Sequence, residues 1–363
     1  MGLEVFENYV CDGQMELIGR TESKLTDLND IPDNKEIFES IITAMSKIKN
    51  PCYANVLCSI SGGSDSDLLI DMFSRIDVDR KIKYIFFDTG LEYDATKKHL
   101  EELKKKYGIN IEKEPASKSI PSCCKRYGQP FISKQVSEWI SRLQKHNFTW
   151  EDEPFETLLN KFPRCRAALK WWCNEWPERE NGGESSYNIA YNRGLKEFMV
   201  AYPPEFKISN MCCHYAKKDV AKKYKIKNSI DLSIVGIRKA EGGARSTSYK
   251  NCFTADVDGT DEYRPIFWYK NDTKEAYVKH FKVKHSDCYC KYGLKRTGCA
   301  GCPYGNDFEF ELEVIKRFEP KLYAAVNNIF GESYAYTRQY YEFRRKMKAD
   351  NPDYQQMELE FIS

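Results

Sequence analysis

SISGGSDSDLLIDMF, residues 59–73, sets two glycines among serines and aspartates, between one apolar run and another. Just upstream, NVLCSI (55–60) is a short continuous apolar run, as expected of a strand buried on both faces. Downstream, Leu68, Leu69, Met72 and Phe73 recur at helical spacing and predict a helix over 64–75. A strand, a glycine-rich turn and a helix make a place for an anion. Glycine lets the backbone approach closely and point several N–H groups one way. The helix N-terminus adds partial positive charge, and serine hydroxyls donate further hydrogen bonds. The pattern is neither GxxxxGK[ST] nor GxGxxG. With no loop lysine, neutralising charge must come from a metal or from arginines elsewhere. Taken by themselves, these residues also read as a plain strand-to-helix turn.

Outward from this stretch, KIKYIFF (81–87) predicts a second strand, 94–107 a charged surface helix and GINIEKE (108–114) a third strand. Upstream, 35–48 predicts a helix with Ile37, Phe38, Ile41, Ile42 and Met45 on one face. Alternating strands and helices imply parallel pairing. The pattern changes near residue 121. Residues 122–211 are rich in Trp, Tyr and charge, with helices expected at 133–144, 155–159 and 167–175 and a loop at 181–186. Trp171, Trp172 and Trp176 are expected in its core. The alternation resumes with a helix at 217–224 and a strand at 232–237. A hairpin follows around Asp258-Gly259, then a capping box at 272–275 and a helical tail from 308 to 348. The expected organisation is a helical lead-in (1–54), an α/β half carrying the glycine loop (55–121), a helical insertion (122–211), a second half carrying cysteines (212–305) and a helical C-terminal segment (306–363).

In an open α/β sheet, ligands bind at the carboxyl ends of the strands. Here the second strand ends in Phe87-Asp88-Thr89-Gly90, and the later one in Gly236-Ile237-Arg238, with Arg245 close behind. Asp65 is a candidate metal or hydroxyl contact. Arg238 and Arg245 are candidate clamps for a polyphosphate or sulfate. SGGSDS, DTG and GIRKAEGGARS together resemble the adenine-nucleotide α-hydrolase fold, and more narrowly the phosphoadenosine phosphosulfate (PAPS) reductase family. Pro265-Ile266-Phe267-Trp268 is similar to a Pro-Ile-x-x-Trp segment of that family, with the Trp one place forward. The resemblance covers roughly residues 55–121 and 212–305. It implies an open, mostly parallel Rossmann-like α/β sheet and an adenine nucleotide, ATP with Mg²⁺ or APS/PAPS. It also implies a phosphate loop of Ser61, Gly62, Gly63, Ser64, Asp65 and Ser66, flanked by Asp88, Gly236, Arg238 and Arg245.

The chain has fourteen cysteines. No secretory leader, myristoylation pattern or membrane-spanning apolar stretch is recognisable, so a cytoplasmic, reducing setting is expected. There cysteines read as ligands, catalysts or buried small hydrophobes rather than disulfides. Cys299-Ala300-Gly301-Cys302 is a CxxC, and Cys212-Cys213 a tandem pair before a basic stretch. A tandem pair with a distant CxxC resembles the iron–sulfur members of the family, which implies a [4Fe–4S] cluster on Cys212, Cys213, Cys299 and Cys302, with Cys290 as the alternative ligand. A Zn²⁺ site and no metal are the other readings. Cys123-Cys124, beside Lys125 and Arg126, reads either as a functional thiol of lowered pKa or as buried loop cysteines. Cys11, Cys52, Cys58, Cys165, Cys173 and Cys252 are read as structural.

One departure matters. The family's reductases use a C-terminal nucleophilic cysteine, and this chain has none after Cys302. The remaining chemistry is that of an ATP pyrophosphatase, which adenylates a substrate that sulfur then attacks. A sulfonucleotide reductase using Cys123 or Cys124, and a non-catalytic nucleotide-binding subunit, are the alternatives. A sulfur donor protein is an expected partner. The basic stretch Lys217, Lys218, Lys222, Lys223, Lys225 and Lys227, and the Arg, Lys and Tyr mixture of 338–348, are candidate nucleic-acid contacts or solvated helix faces. The net charge of +2 decides nothing between these.

Overall fold

The computed structural model describes residues 30–179, 183–242, 248–257, 259–305 and 307–350. Arg245 and Asp258 lie outside the described residues, as does part of the loop expected at 181–186. The described chain forms two compact units, one of residues 1–116 and 219–299, the other of 117–218 and 300–363.

The first unit holds a six-stranded sheet of order β3-β2-β1-β4-β6-β5. Its strands are β1 (Val56–Ile60), β2 (Ile82–Asp88), β3 (Ile111–Pro115), β4 (Leu232–Val235), β5 (Phe253–Val257) and β6 (Thr260–Tyr263). All pairs are parallel except β5–β6. Val56 of β1 stands opposite Ile82 on one side and Leu232 on the other. The alternation of side chains along β1 puts apolar residues on both faces, with Ser59 the one polar position. Val56, Cys58 and Ile60 pack against α1 (Lys35–Lys49) and α2 (Ser64–Ile76). Leu57 packs on the opposite face with Ile85, Tyr224 and Ile230. The sheet is therefore covered on both faces. Helix α3 (Asp94–Tyr107) adds Leu100 and Leu103 to the larger core.

The second unit is helical. It contains α4 (Ile120–Tyr127), α5 (Lys134–Gln144), α6 (Phe155–Lys161), α7 (Arg166–Trp172), α8 (Leu195–Ala201) and α9 (Met211–Cys213), with a π-helical turn at His214–Lys218. The chain then returns to the first unit with α10 (Asp219–Lys227), α11 (Asn271–Phe281) and α12 (Asp287–Cys290). It re-enters the second with α13 (Phe308–Phe318) and α14 (Pro320–Asp350). Trp171 and Trp172 are buried with Phe131, Phe198, Tyr336 and Tyr340. Trp176 is only half-buried, with its ring centroid 5.8 Å from that of Tyr187.

Four local readings need correction. The strand expected at 232–237 stops at Val235, which frees Gly236–Arg238 as a loop. The capping box at 272–275 does not form: α11 begins at Asn271, Lys270 is its N-cap without a side-chain bond, and Asp272 accepts from its neighbour Thr273 N–H at 2.7 Å. The helix expected from 217 begins at 211 and widens into the π turn. Helix α4 was read as loop, although Ser119 caps it, Pro121 sits in its first turn and Gly128 follows it.

Candidate functional site

β1 pairs with β2 on one side and β4 on the other, so the strand order reverses between β1 and β4. The crevice at the carboxyl ends of those two strands is where an α/β sheet receives a ligand. SGGSDS leaves β1 there, and Gly236-Ile237-Arg238 leaves β4.

Gly62 has φ +68, and a Cβ on it would lie 2.6 Å from Thr96 Cγ2, so conformation and space both require glycine. Gly63 is the N-cap of α2. Ser66 Oγ accepts from Ser61 N–H at 2.9 Å and lies 3.1 Å from Ser61 Oγ, closing the loop on itself. The Ser64 N–H, the α2 donor aimed out of the turn, is bound by the Tyr289 hydroxyl at 3.1 Å, which lies 3.2 Å from Thr297 Oγ1. Gly236 passes close over the same turn, where a Cβ would lie 3.5 Å from the Asp65 backbone.

Asp65 is the node. Its Oδ1 accepts from Arg238 Nε at 3.0 Å and from Lys274 Nζ at 2.7 Å, and Lys274 also donates to Ser64 Oγ at 2.6 Å. Arg238 is 7% exposed and is held by Asn271 Oδ1 at 3.1 Å. Burial alone would raise the Asp65 carboxyl. Hydrogen bonding with Glu241, and the charges and hydrogen bonds of Lys274 and Arg238, outweigh it and hold Asp65 below the usual carboxylate range. Arg238 and Lys274 thus share one carboxylate at the mouth of a helix N-terminus, whose backbone N–H groups favour an anion.

Lys274 is the residue that sequence reading missed. It lies 210 positions from Ser64, inside what read as a capping box, and no local pattern separates it from the other surface lysines. Asp88, at the end of β2, is bound by Lys113 at 2.7 Å and accepts from Gly90 N–H at 2.8 Å. The same N–H reaches Glu92 at 3.1 Å. Burial and the neighbouring Asp88 push Glu92 up, and Asp88 is held down to about 2, burial being outweighed by hydrogen bonds with Glu92, Lys113 and Gly90.

The cysteines divide by unit. In the second unit, Cys212 on α9 hydrogen-bonds with Cys124 on α4 and with Cys213, and Cys302 is nearby. The bond to Cys124, with burial, pushes the Cys212 thiol up, and the bond to Cys212, with burial, does the same to Cys213. Cys124 is the neighbour that spacing did not indicate. The Tyr304 hydroxyl is buried beside Cys212, Cys213 and Cys302, with Ser137 as its neighbour. The Ser137 hydroxyl also bonds the Phe131 backbone. Soft donors grouped around a buried phenol fit a thiophilic group in chemistry. As arranged, though, no set of three or more His, Cys, Asp or Glu side chains among the described residues converges on a metal position. Cys299 closes the first unit just before Ala300 opens the second. Cys290, also in the first unit, is exposed and its thiol donates to His285 O at 3.9 Å. The expectation of a lowered Cys123 pKa is overturned: burial raises this thiol, and Lys118 only partly offsets that.

Residues 55–162 match the model of the phosphoadenosine phosphosulfate reductase domain. An uncharacterized protein of Methanocaldococcus jannaschii is 26% identical over 287 residues, 79% of this chain and 42% of that protein, so the chain spans less than half of this relative's length. Among solved structures, a PAPS reductase of Candida auris in complex with phosphate aligns at 11% identity and a TM-score of 0.39, covering 71% of this chain and 87% of that one. A U34-tRNA thiolase of Methanococcus maripaludis, with its [4Fe–4S] cluster, aligns at 12% identity and a TM-score of 0.35, covering 85% and 80%. No helix among the described residues is long and apolar enough to cross a membrane.

Proposed function

With residues 55–162 matching the model of the phosphoadenosine phosphosulfate reductase domain, we propose that this protein is an ATP-dependent adenylating enzyme that releases pyrophosphate and passes sulfur to the activated substrate. The observation that carries the reading is the pairing of Lys274 and Arg238 on Asp65 at the N-terminus of α2. The loop N–H groups and the two cations receive the β- and γ-phosphates, and Asp65 keeps both cations in place. Mg²⁺ entering with ATP neutralises further phosphate charge. An acceptor oxygen forms a bond to the α-phosphorus as the bond from that phosphorus to the bridging oxygen breaks. Pyrophosphate leaves with the electron pair, and the acceptor proton passes to solvent. A sulfur nucleophile from a donor protein then displaces AMP. Such transfer is positioning and charge stabilisation, which fixed cations supply.

Cys212, Cys213 and Cys302, with Cys299 or Cys124, are proposed to hold a [4Fe–4S] cluster, which would supply a soft binding position for sulfur. A reductase acting through Cys123 is disfavoured by that thiol's complete burial. Arg245 remains a proposed second clamp.

The test is pyrophosphate release from MgATP by anaerobically purified protein, beside binding of ATP, APS and PAPS. Lys274→Ala and Asp65→Asn are each expected to lower kcat/KM about 100-fold, about 2.7 kcal/mol of transition-state stabilisation. Binding of APS or PAPS without ATP, or turnover indifferent to both substitutions, would overturn the proposal.

A further inference from the structure

The second unit carries a surface that the nucleotide site does not use. Tyr127, at the end of α4, and Tyr215, in the π-helical turn, stack with ring centroids 5.6 Å apart and planes inclined by 24°. Both are partly buried. Lys118 Nζ donates to the Tyr127 hydroxyl at 2.8 Å and stands 4.0 Å from the Tyr215 ring centroid. Ser117 N–H donates to Tyr215 O at 3.1 Å, fixing the start of one segment against the other. The pair is thus a positioned aromatic step rather than two loose side chains.

Charge around it has one sign. Segments 117–127 and 211–218 hold Lys118, Lys125, Arg126, Lys217 and Lys218, and no carboxylate. The last four are exposed. A solvated helix face would mix signs, as α3 does with its Lys97–Asp94 and Lys104–Glu101 pairs. The same two segments contain Cys123-Cys124 and Cys212-Cys213. Elsewhere in the same unit, Tyr341, Arg344, Arg345 and Lys348 of α14 line an open surface groove, where Glu342 pairs with Lys346. An aromatic pair set among cations, as at Tyr127 and Tyr215, suits unpaired bases on a phosphodiester backbone. Each base offers a face to stack and each phosphate a charge to neutralise. A duplex hides its base faces.

We infer that the second unit binds single-stranded nucleic acid, with a base stacked at Tyr127–Tyr215 and the backbone tracked by Lys125, Arg126, Lys217 and Lys218. The inference deepens the adenylation reading by naming the acceptor's class, and for the acceptor role it rests on that reading; the binding does not.

The experiment uses the full chain and fluorescein-labelled 20-nucleotide single-stranded RNA and DNA, a matching duplex and polyglutamate, by anisotropy over a salt series. Single strands are expected to bind more tightly than the duplex or polyglutamate. Tyr127→Ala and Tyr215→Ala should each weaken binding about 10-fold without altering the salt slope. Tyr127→Phe and Tyr215→Phe, which keep the rings, should restore it. Lys217→Gln and Lys218→Gln should each reduce the slope by about 1. Thermal melts check that every variant is folded. Absence of single-strand binding overturns the inference. So does equal affinity for polyglutamate, which would mark a docking face for an acidic protein, or unchanged affinity in folded Tyr→Ala variants. Strand binding by a protein that releases no pyrophosphate supports this inference while overturning the adenylation reading, so the two failures are distinguishable.

Discussion

Asp65 shows what a single position does here. Its sequence context, second after the second glycine, marks it as a candidate metal or hydroxyl contact and shows none of its partners. Its role as a node comes from Arg238 and Lys274, which are 173 and 209 positions away. Asp88 is a second carboxylate whose setting has a measurable consequence. It is held down to about 2 in the fold, against about 3.9 when unperturbed. As pH falls, the unfolded chain takes up this proton first, so the stabilisation is complete above about pH 5 and drains away between about pH 4 and 2. Asp88→Asn should therefore make the acid limb of stability shallower in that window. Urea denaturation at a series of pH values checks it, and an unaltered limb would show that Asp88 titrates normally.

At the scale of elements, the glycines divide by what surrounds them. Gly128 ends α4 with φ +117, and a Cβ there would lie 2.3 Å from Lys207 O. Immediately after it, Gln129 N–H donates to Lys207 O at 2.7 Å, and Ser209 N–H donates to Gln129 O at 2.9 Å. The glycine thus lets two distant stretches of the second unit run side by side. Gly293 also has positive φ, +73, but nothing lies within 4 Å of its would-be Cβ. Gly128→Ala should cost about 3 kcal/mol, strain and backbone collision together, and Gly293→Ala about 1 kcal/mol from strain alone. Calorimetric melting separates the two, and equal losses would contradict the close approach at Lys207. The helices and strands themselves were legible wherever a periodic apolar face is present, as in α2 and α3. Helix α4 was not. Its eight residues carry two cysteines and four polar or charged side chains around two apolar ones, so periodicity has little to report, and only Ser119, Pro121 and Gly128 mark its ends.

The whole molecule sorts the thiols. Cys124 lies in the second unit with Cys212, Cys213 and Cys302, whereas Cys299 and Cys290 belong to the first. If the proposed cluster lies within the second unit, Cys124 is the thiol whose loss should matter. Iron and acid-labile sulfide should fall severalfold in anaerobically prepared Cys124→Ser and stay near wild type in Cys290→Ser. Retention of both in Cys124→Ser, with loss in Cys299→Ser, would return the fourth position to the CxxC.

By itself the sequence determined the α/β alternation, the glycine turn between β1 and α2, and the tandem Cys212-Cys213. Each of these is written in residues close together along the chain, where periodicity, glycine and spacing act locally. Only the tertiary structure decided that β1 and β4 are neighbours, that Lys274 reaches Ser64 and Asp65, that Cys124 meets Cys212, and that Tyr127 stacks on Tyr215. Those contacts join residues dozens to hundreds of positions apart. They arise from burying apolar faces elsewhere, so no local pattern encodes them.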